Sequence, residues 1–233
     1  MDISEKQTKR AVCKKTPKGE ARKYYRFRAD RFYGGIATAD CMGCNLDCAF
    51  CWSYRSRINQ DKKGEYCLPE EVAGRLAKIA HKKGFRQARI SGNEPTLCKD
   101  HLLGVIENLE KEDPKILFIL ETNGVILGQD TGFIEKLKGF RNLHVRVSFK
   151  TGNPENFKKI TARPEEWFEY QIDAVKGLYE NRVPFHPAIV SEYYDENLTK
   201  RLAEISTEIA RNLEFEDLKI YPWMQKRMKK RGL

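Results

Sequence analysis

Short strand-like runs alternating with longer helix-like runs, six strands in all, predict a mixed α/β chain: a partial (β/α)6 TIM-like barrel with parallel strands inside and helices outside. Two further observations sharpen this. Along 143–150, Leu143, Val145, Val147 and Phe149 alternate with His144, Arg146, Ser148 and Lys150, so one face is apolar and the other polar. A cysteine-rich loop directly follows the first strand, and in parallel α/β folds ligands sit at the carboxyl ends of strands.

The strand candidates are 34–39, 87–91, 116–121, 143–149, 184–190 and 215–221. Between them lie helix candidates at 69–83, 100–111, 131–137, 164–180 and 196–212. Pro69 and Pro164 stand where a first turn accepts proline, and Gly84 where a last turn ends. The polar face of 143–150, like that of Gln87, Arg89 and Ser91, looks either into a ligand-filled lumen or, on an edge strand, into solvent.

At 233 residues one domain suffices. The expected layout is a basic N-terminal extension (1–32), a core (33–223) and a basic C-terminal tail (224–233). Residues 1–32 carry eleven Lys or Arg against four acids and residues 221–233 five against none, so the ends hold +12 of a net +10. Such ends are either solvated tails or a polyanion footprint; interleaved Tyr24, Tyr25, Phe27, Phe32, Tyr33 and Trp223 argue against plain disorder. No signal peptide or apolar run of membrane-span length is evident, so a soluble cytoplasmic protein is expected. Seven cysteines, four of them within 41–51, suit a reducing compartment and a metal site. Cys13, Cys67 and Cys98 have no metal-type spacing and are expected to be free thiols.

Three readings compete for the loop Cys41-Met42-Gly43-Cys44-Asn45-Leu46-Asp47-Cys48-Ala49-Phe50-Cys51. A zinc site would use all four cysteines, but the spacer between the pairs is short for a zinc ribbon. A ferredoxin-like carrier needs four ligands and a following Cys-Pro. Cys44-x-x-x-Cys48-x-x-Cys51 instead offers three thiolates to a 4Fe-4S cube, leaving one iron open for a cofactor.

That triplet, with the aromatic Phe50 before its last cysteine, resembles the signature of the radical S-adenosylmethionine (SAM) superfamily. The resemblance implies one 4Fe-4S cluster on Cys44, Cys48 and Cys51, SAM as second cofactor, and a 5'-deoxyadenosyl radical that abstracts hydrogen. Ser91-Gly92-Asn93-Glu94-Pro95-Thr96 resembles the superfamily's Gly-Gly-Glu-Pro segment; this implies that Gly92, Asn93 and Glu94 line the SAM site and that Glu94 binds its amino group. Asn93 departs from the second glycine. Glu121-Thr122-Asn123-Gly124 and Ser148-Phe149-Lys150 look like segments of pyruvate formate-lyase activating enzyme and its relatives, which implies Thr122, Ser148 and Lys150 at the methionine end of SAM. Ser148 stands where those relatives have an acid. His186 is a weaker candidate for the same pocket, and Cys41 is either inert or a hydrogen-atom donor.

The substrate is left open by fold and cofactor. Basic ends suggest RNA; the compact barrel suggests an activating enzyme with a protein substrate; a nucleotide or cofactor precursor is a third option, and a non-enzymatic iron-sulfur module a fourth. An electron donor such as a ferredoxin or flavodoxin is the expected redox partner.

Overall fold

The structure, a computed structural model, describes residues 5–233. In chain order the elements are α1 (Glu5–Val12), β1 (Cys13–Thr16), β2 (Gly19–Asp30), β3 (Ile36–Cys41), α2 (Tyr54–Ile58), β4 (Glu65–Cys67), α3 (Pro69–Lys83), β5 (Gln87–Ser91), α4 (Lys99–Glu112) and β6 (Leu117–Thr122). The chain continues through α5 (Val125–Gln129), α6 (Thr131–Leu137), β7 (Leu143–Phe149), α7 (Pro154–Thr161), α8 (Trp167–Glu180), β8 (Phe185–Val190), α9 (Glu196–Ile205), α10 (Thr207–Arg211), β9 (Glu214–Glu216) and α11 (Pro222–Lys229). The α/β class is as the sequence predicts, with strands and helices alternating from β3 onward. There are two compact units. One comprises residues up to Asn45, Arg55–Glu121 and Glu135–Val145; the other Leu46–Tyr54, Thr122–Ile134 and Arg146–Leu233.

In the first unit β3, β5 and β6 pair in parallel, with Ala37 opposite Ala88 and Ala88 opposite Phe118. Ile36, Ala37, Ala39, Ala88, Ile90 and Phe118 are buried, and α3 covers them with Val72, Ala73, Leu76 and Ala80. Helix α3 forms here for legible reasons. Pro69 opens it, Glu70 and Glu71 complement the positive end of its dipole, and Gly84 closes it in the left-handed region at φ 68°.

The segment expected as a basic extension is folded into this unit, apart from its first four residues, which lie outside those described. Strand β2 runs antiparallel to β3, from Tyr24 opposite Cys41 to Asp30 opposite Ile36, and also pairs with β1 and β4. Its alternation was obscured because half its buried side chains are basic: Arg22 and Lys23 are buried beside Tyr24. A second correction concerns cysteines. Cys13 and Cys98 are joined by a disulfide, whereas Cys67 is a buried thiol that burial pushes up to a pKa of about 11.

The polar strand faces look into ion pairs. Buried Arg89 donates to Glu121 (2.6 Å) and Asp30 (2.9 Å), and Tyr33 donates to the same Glu121 (2.9 Å). His101 and Tyr24, both buried, form a polar chain in the same unit. His101 Nδ1 faces the Glu20 carbonyl at 2.9 Å, so Nδ1 carries the proton and Nε2 accepts from the Tyr24 hydroxyl at 2.9 Å. Burial pulls the His101 pKa from 6.5 to about 3. Between those two values the unfolded chain binds a proton that the folded chain refuses, so stability falls as pH falls through that window. Urea unfolding across the window is expected to show a shallower slope for His101→Gln; equal slopes would contradict it.

In the second unit β8 and β9 pair in parallel, from Ala188 opposite Glu214 to Val190 opposite Glu216. The sixth strand is therefore far shorter than expected. Beyond Glu216 the backbone bonds to side chains instead of a ladder: Leu218 N–H donates to the Glu192 carboxylate (3.0 Å), and the Lys219 carbonyl accepts from the Trp52 indole (3.0 Å). The core gathers Phe149, Phe157 and Phe168, with edge-on ring centroids 6.2 and 6.4 Å apart. Helix α5 meets α8 backbone to backbone; a Cβ on Gly128 would overlap the Tyr170 carbonyl. The helix expected over 196–212 is broken at Ser206, which takes an extended conformation and caps α10 through its hydroxyl. Helix α7 begins at Asn153-Pro154, an unused start signal in the sequence.

Candidate active site

The cysteine loop leaves the carboxyl end of β3, and in the first unit it is tied to the end of β5. Gly43 N–H donates to the Asn93 side-chain oxygen (3.0 Å), and Glu94 N–H donates back to the Gly43 carbonyl (3.0 Å). The departure at Asn93 thus has a use, since a glycine there has no side chain to hold the loop. Gly92 is at φ +88°, and a Cβ on it would sit 2.9 Å from the Cys41 carbonyl and 3.1 Å from the Tyr25 hydroxyl. Glu94 is 3% exposed, and its Oε1 accepts from the Thr96 amide (3.1 Å) and hydroxyl (2.6 Å), which fixes the carboxylate.

Arg22, which the sequence reading missed, stitches the two loops together from β2. Its guanidinium is 1% exposed and donates to the carbonyls of Met42 (3.0 Å), Glu94 (2.6 Å) and Pro95 (2.8 Å), and to the Cys41 sulfur (3.2 Å). Cys41 is thereby enclosed beneath the loop, and burial raises its thiol pKa. No local signal marks Arg22, because a buried arginine bonded to carbonyls looks in sequence like any basic strand residue.

In the second unit the rest of the loop packs along the end of α7. Asp47 N–H donates to the Thr161 carbonyl (2.9 Å), and Ala49 N–H to the Ile160 carbonyl (2.8 Å). Cys51 N–H closes a turn on the Cys48 carbonyl (3.2 Å). Phe50 is buried and stacks on Tyr193, with centroids 5.2 Å apart and planes 13° off parallel. Lys150 Nζ donates to the Ser148 hydroxyl (2.7 Å), bringing those two candidates together. Thr122 and Asn123 accept from the amides of Gly124 and Val125 (3.1 Å each) and so shape the turn into α5, while Gln171 donates to the Asn123 carbonyl (2.5 Å). His186 is placed apart from these, at the start of β8, where it pairs with Glu214 (2.8 Å) beside Arg146. That is the amino end of its strand, opposite the end where ligands collect.

The donor set fits a cubane. Cys44, Cys48 and Cys51 are outside disulfides, and Cys41, the fourth thiol a zinc site would need, is held by Arg22. Among the described residues no group of three His, Cys, Asp or Glu side chains is placed to hold a single metal ion.

A family model described as the radical SAM superfamily matches residues 41–196, about two thirds of the chain. The "probable GTP 3',8-cyclase" of Methanocaldococcus jannaschii is 42% identical over 118 residues, covering 51% of this chain and 37% of that protein. A protein of the same description from Pyrococcus horikoshii is 28% identical over 145 residues, covering 62% and 41%. The chain thus spans about two fifths of the length of the curated relatives it matches. Among solved structures, Streptococcus suis SuiB bound to S-adenosylmethionine superposes with a TM-score of 0.59 at 17% identity over 78% of this chain and 40% of that one. TYW1 with a lysine-pyruvate adduct bound gives 0.52 at 18% identity, over 79% and 65%. At these identities the likeness concerns the fold.

Proposed function

Because this chain belongs to the radical SAM superfamily, we propose that it binds one 4Fe-4S cluster through Cys44, Cys48 and Cys51, cleaves SAM reductively, and starts hydrogen abstraction from a nucleotide. The observation that carries the reading is the reciprocal pair of hydrogen bonds between Gly43 and Asn93-Glu94, which ties the cysteine loop to the turn bearing the buried carboxylate. When bound, the cluster supplies the electron that breaks the sulfonium carbon-sulfur bond. This chain's residues do the placing. The three cysteines supply thiolates, Glu94 offers a fixed acceptor for the SAM ammonium, and the Ser148-Lys150 pair offers a hydroxyl and a cation for its carboxylate. An external one-electron donor of the ferredoxin or flavodoxin kind completes the cycle.

Two considerations favour a nucleotide. The curated relatives cited above carry a GTP cyclase name, and several basic residues that pointed to RNA are used internally: Arg22 is buried and Arg26 and Arg28 bond Asp40. RNA is the second reading, supported by the exposed Lys226 and Lys229 on α11 and Lys230 just past its end. Anaerobic reconstitution followed by SAM and dithionite tests both. Formation of 5'-deoxyadenosine stimulated by GTP and indifferent to RNA supports the first reading. Stimulation by RNA alone overturns it, and no 5'-deoxyadenosine under any condition overturns SAM cleavage itself.

A further inference from the structure

The basic C-terminal segment has an internal partner. Helix α11 spans Pro222–Lys229, and Arg227 in its last turn and Arg231 two residues past its end converge on Asp47 in the middle of the cysteine loop. Arg227 donates to Asp47 Oδ1 (2.8 Å) and to the carbonyls of Cys48 (3.0 Å) and Ala49 (3.4 Å). Arg231 donates to Asp47 Oδ2 (2.6 Å), the Asp47 carbonyl (2.5 Å) and the Ile160 carbonyl (2.7 Å). The Arg227 guanidinium also lies 3.6 Å over the Tyr54 ring, and Met224 and Met228 bury the helix behind it. All three charged side chains are at most 20% exposed, unlike ordinary surface ion pairs. Asp47 is an acid between two of the proposed cluster ligands, and it is met by two cations, so the clamp carries net positive charge.

We propose that Arg227 and Arg231 are positioning residues for the iron-sulfur site: they lock the backbone of Asp47, Cys48 and Ala49 into the conformation that presents Cys48, and their surplus positive charge eases reduction of the bound cluster. The proposal rests on the cluster reading above. Outer-shell partners of metal ligands typically govern metal affinity by about 10- to 100-fold, and iron-sulfur potentials respond to net charge and hydrogen bonding.

The test compares wild type with Arg227→Met, Arg231→Met and Arg231→Lys after anaerobic reconstitution. It reads iron lost to a chelator, the paramagnetic resonance spectrum of the reduced cluster and its midpoint potential, with a thermal melt as a check on folding. Both Met variants are expected to lose iron at least about tenfold faster and to show a more negative potential. Arg231→Lys, which keeps the charge but not the fork of donors, is expected to hold the wild-type potential while losing iron faster. Folded Met variants with wild-type iron retention, spectrum and potential overturn the proposal. If the Met variants do not fold, wild-type iron loss from Arg231→Lys overturns it instead. A wild-type protein that takes up no cluster overturns the cluster reading itself.

Discussion

Serine at Cys48 or at Cys51 is expected to strip the reconstituted protein of its iron-sulfur absorbance and to lower 5'-deoxyadenosine formation by at least about a hundredfold. An alkoxide is a poor substitute for a soft thiolate on iron, and three protein ligands leave no spare. The fold is expected to survive, because the Cys48 carbonyl and the Cys51 amide, which organise the turn, are untouched. Cys67→Ser supplies the comparison, since Cys67 is buried at the end of β4. Visible absorbance, iron content and product yield, measured side by side, decide it. Equal losses in all three variants would mean that general destabilisation, not ligation, is being read.

The second large effect is expected at Arg22. Methionine there fills a similar volume but donates no hydrogen bond, leaving the carbonyls of Met42, Glu94 and Pro95 buried without that donor. The expected cost is about 3–5 kcal/mol of unfolding free energy in urea, from unsatisfied buried acceptors. Arg26→Met is the contrast. Its side chain is 54% exposed and its ion pair with Asp40 is shared with Arg28, so a loss under about 1 kcal/mol is expected. Similar losses for the two variants would show that the carbonyl stitching contributes little. The same comparison bears on the site, because Arg22 holds both the start of the cysteine loop and the turn at Glu94.

Period and punctuation made much of the fold legible in the sequence. The strands at 87–91 and 143–149 and the helix at 131–137 fall where alternation and helical spacing put them. The N-terminal hairpin did not, because Arg22 and Lys23 occupy inward positions that a hydrophobic pattern assigns to solvent. Asp47 told the same story at the site. One acid within a cysteine loop and two arginines far along the chain have no visible relation until the chain folds. Residue spacing reports which atoms can act together locally, while charge counts say nothing about which charges are already paired. Ser148, puzzling as a replacement for an acid, is found bonded to Lys150.

The clamp on the cysteine loop also imposes an order on how the protein is made. Asp47 precedes Arg227 by 180 residues. At roughly 5–20 residues per second, the loop is synthesised about 10–35 s before its fastener. During that interval the loop lacks the hydrogen bonds that Arg227 and Arg231 supply, and the docking of α11 provides them last.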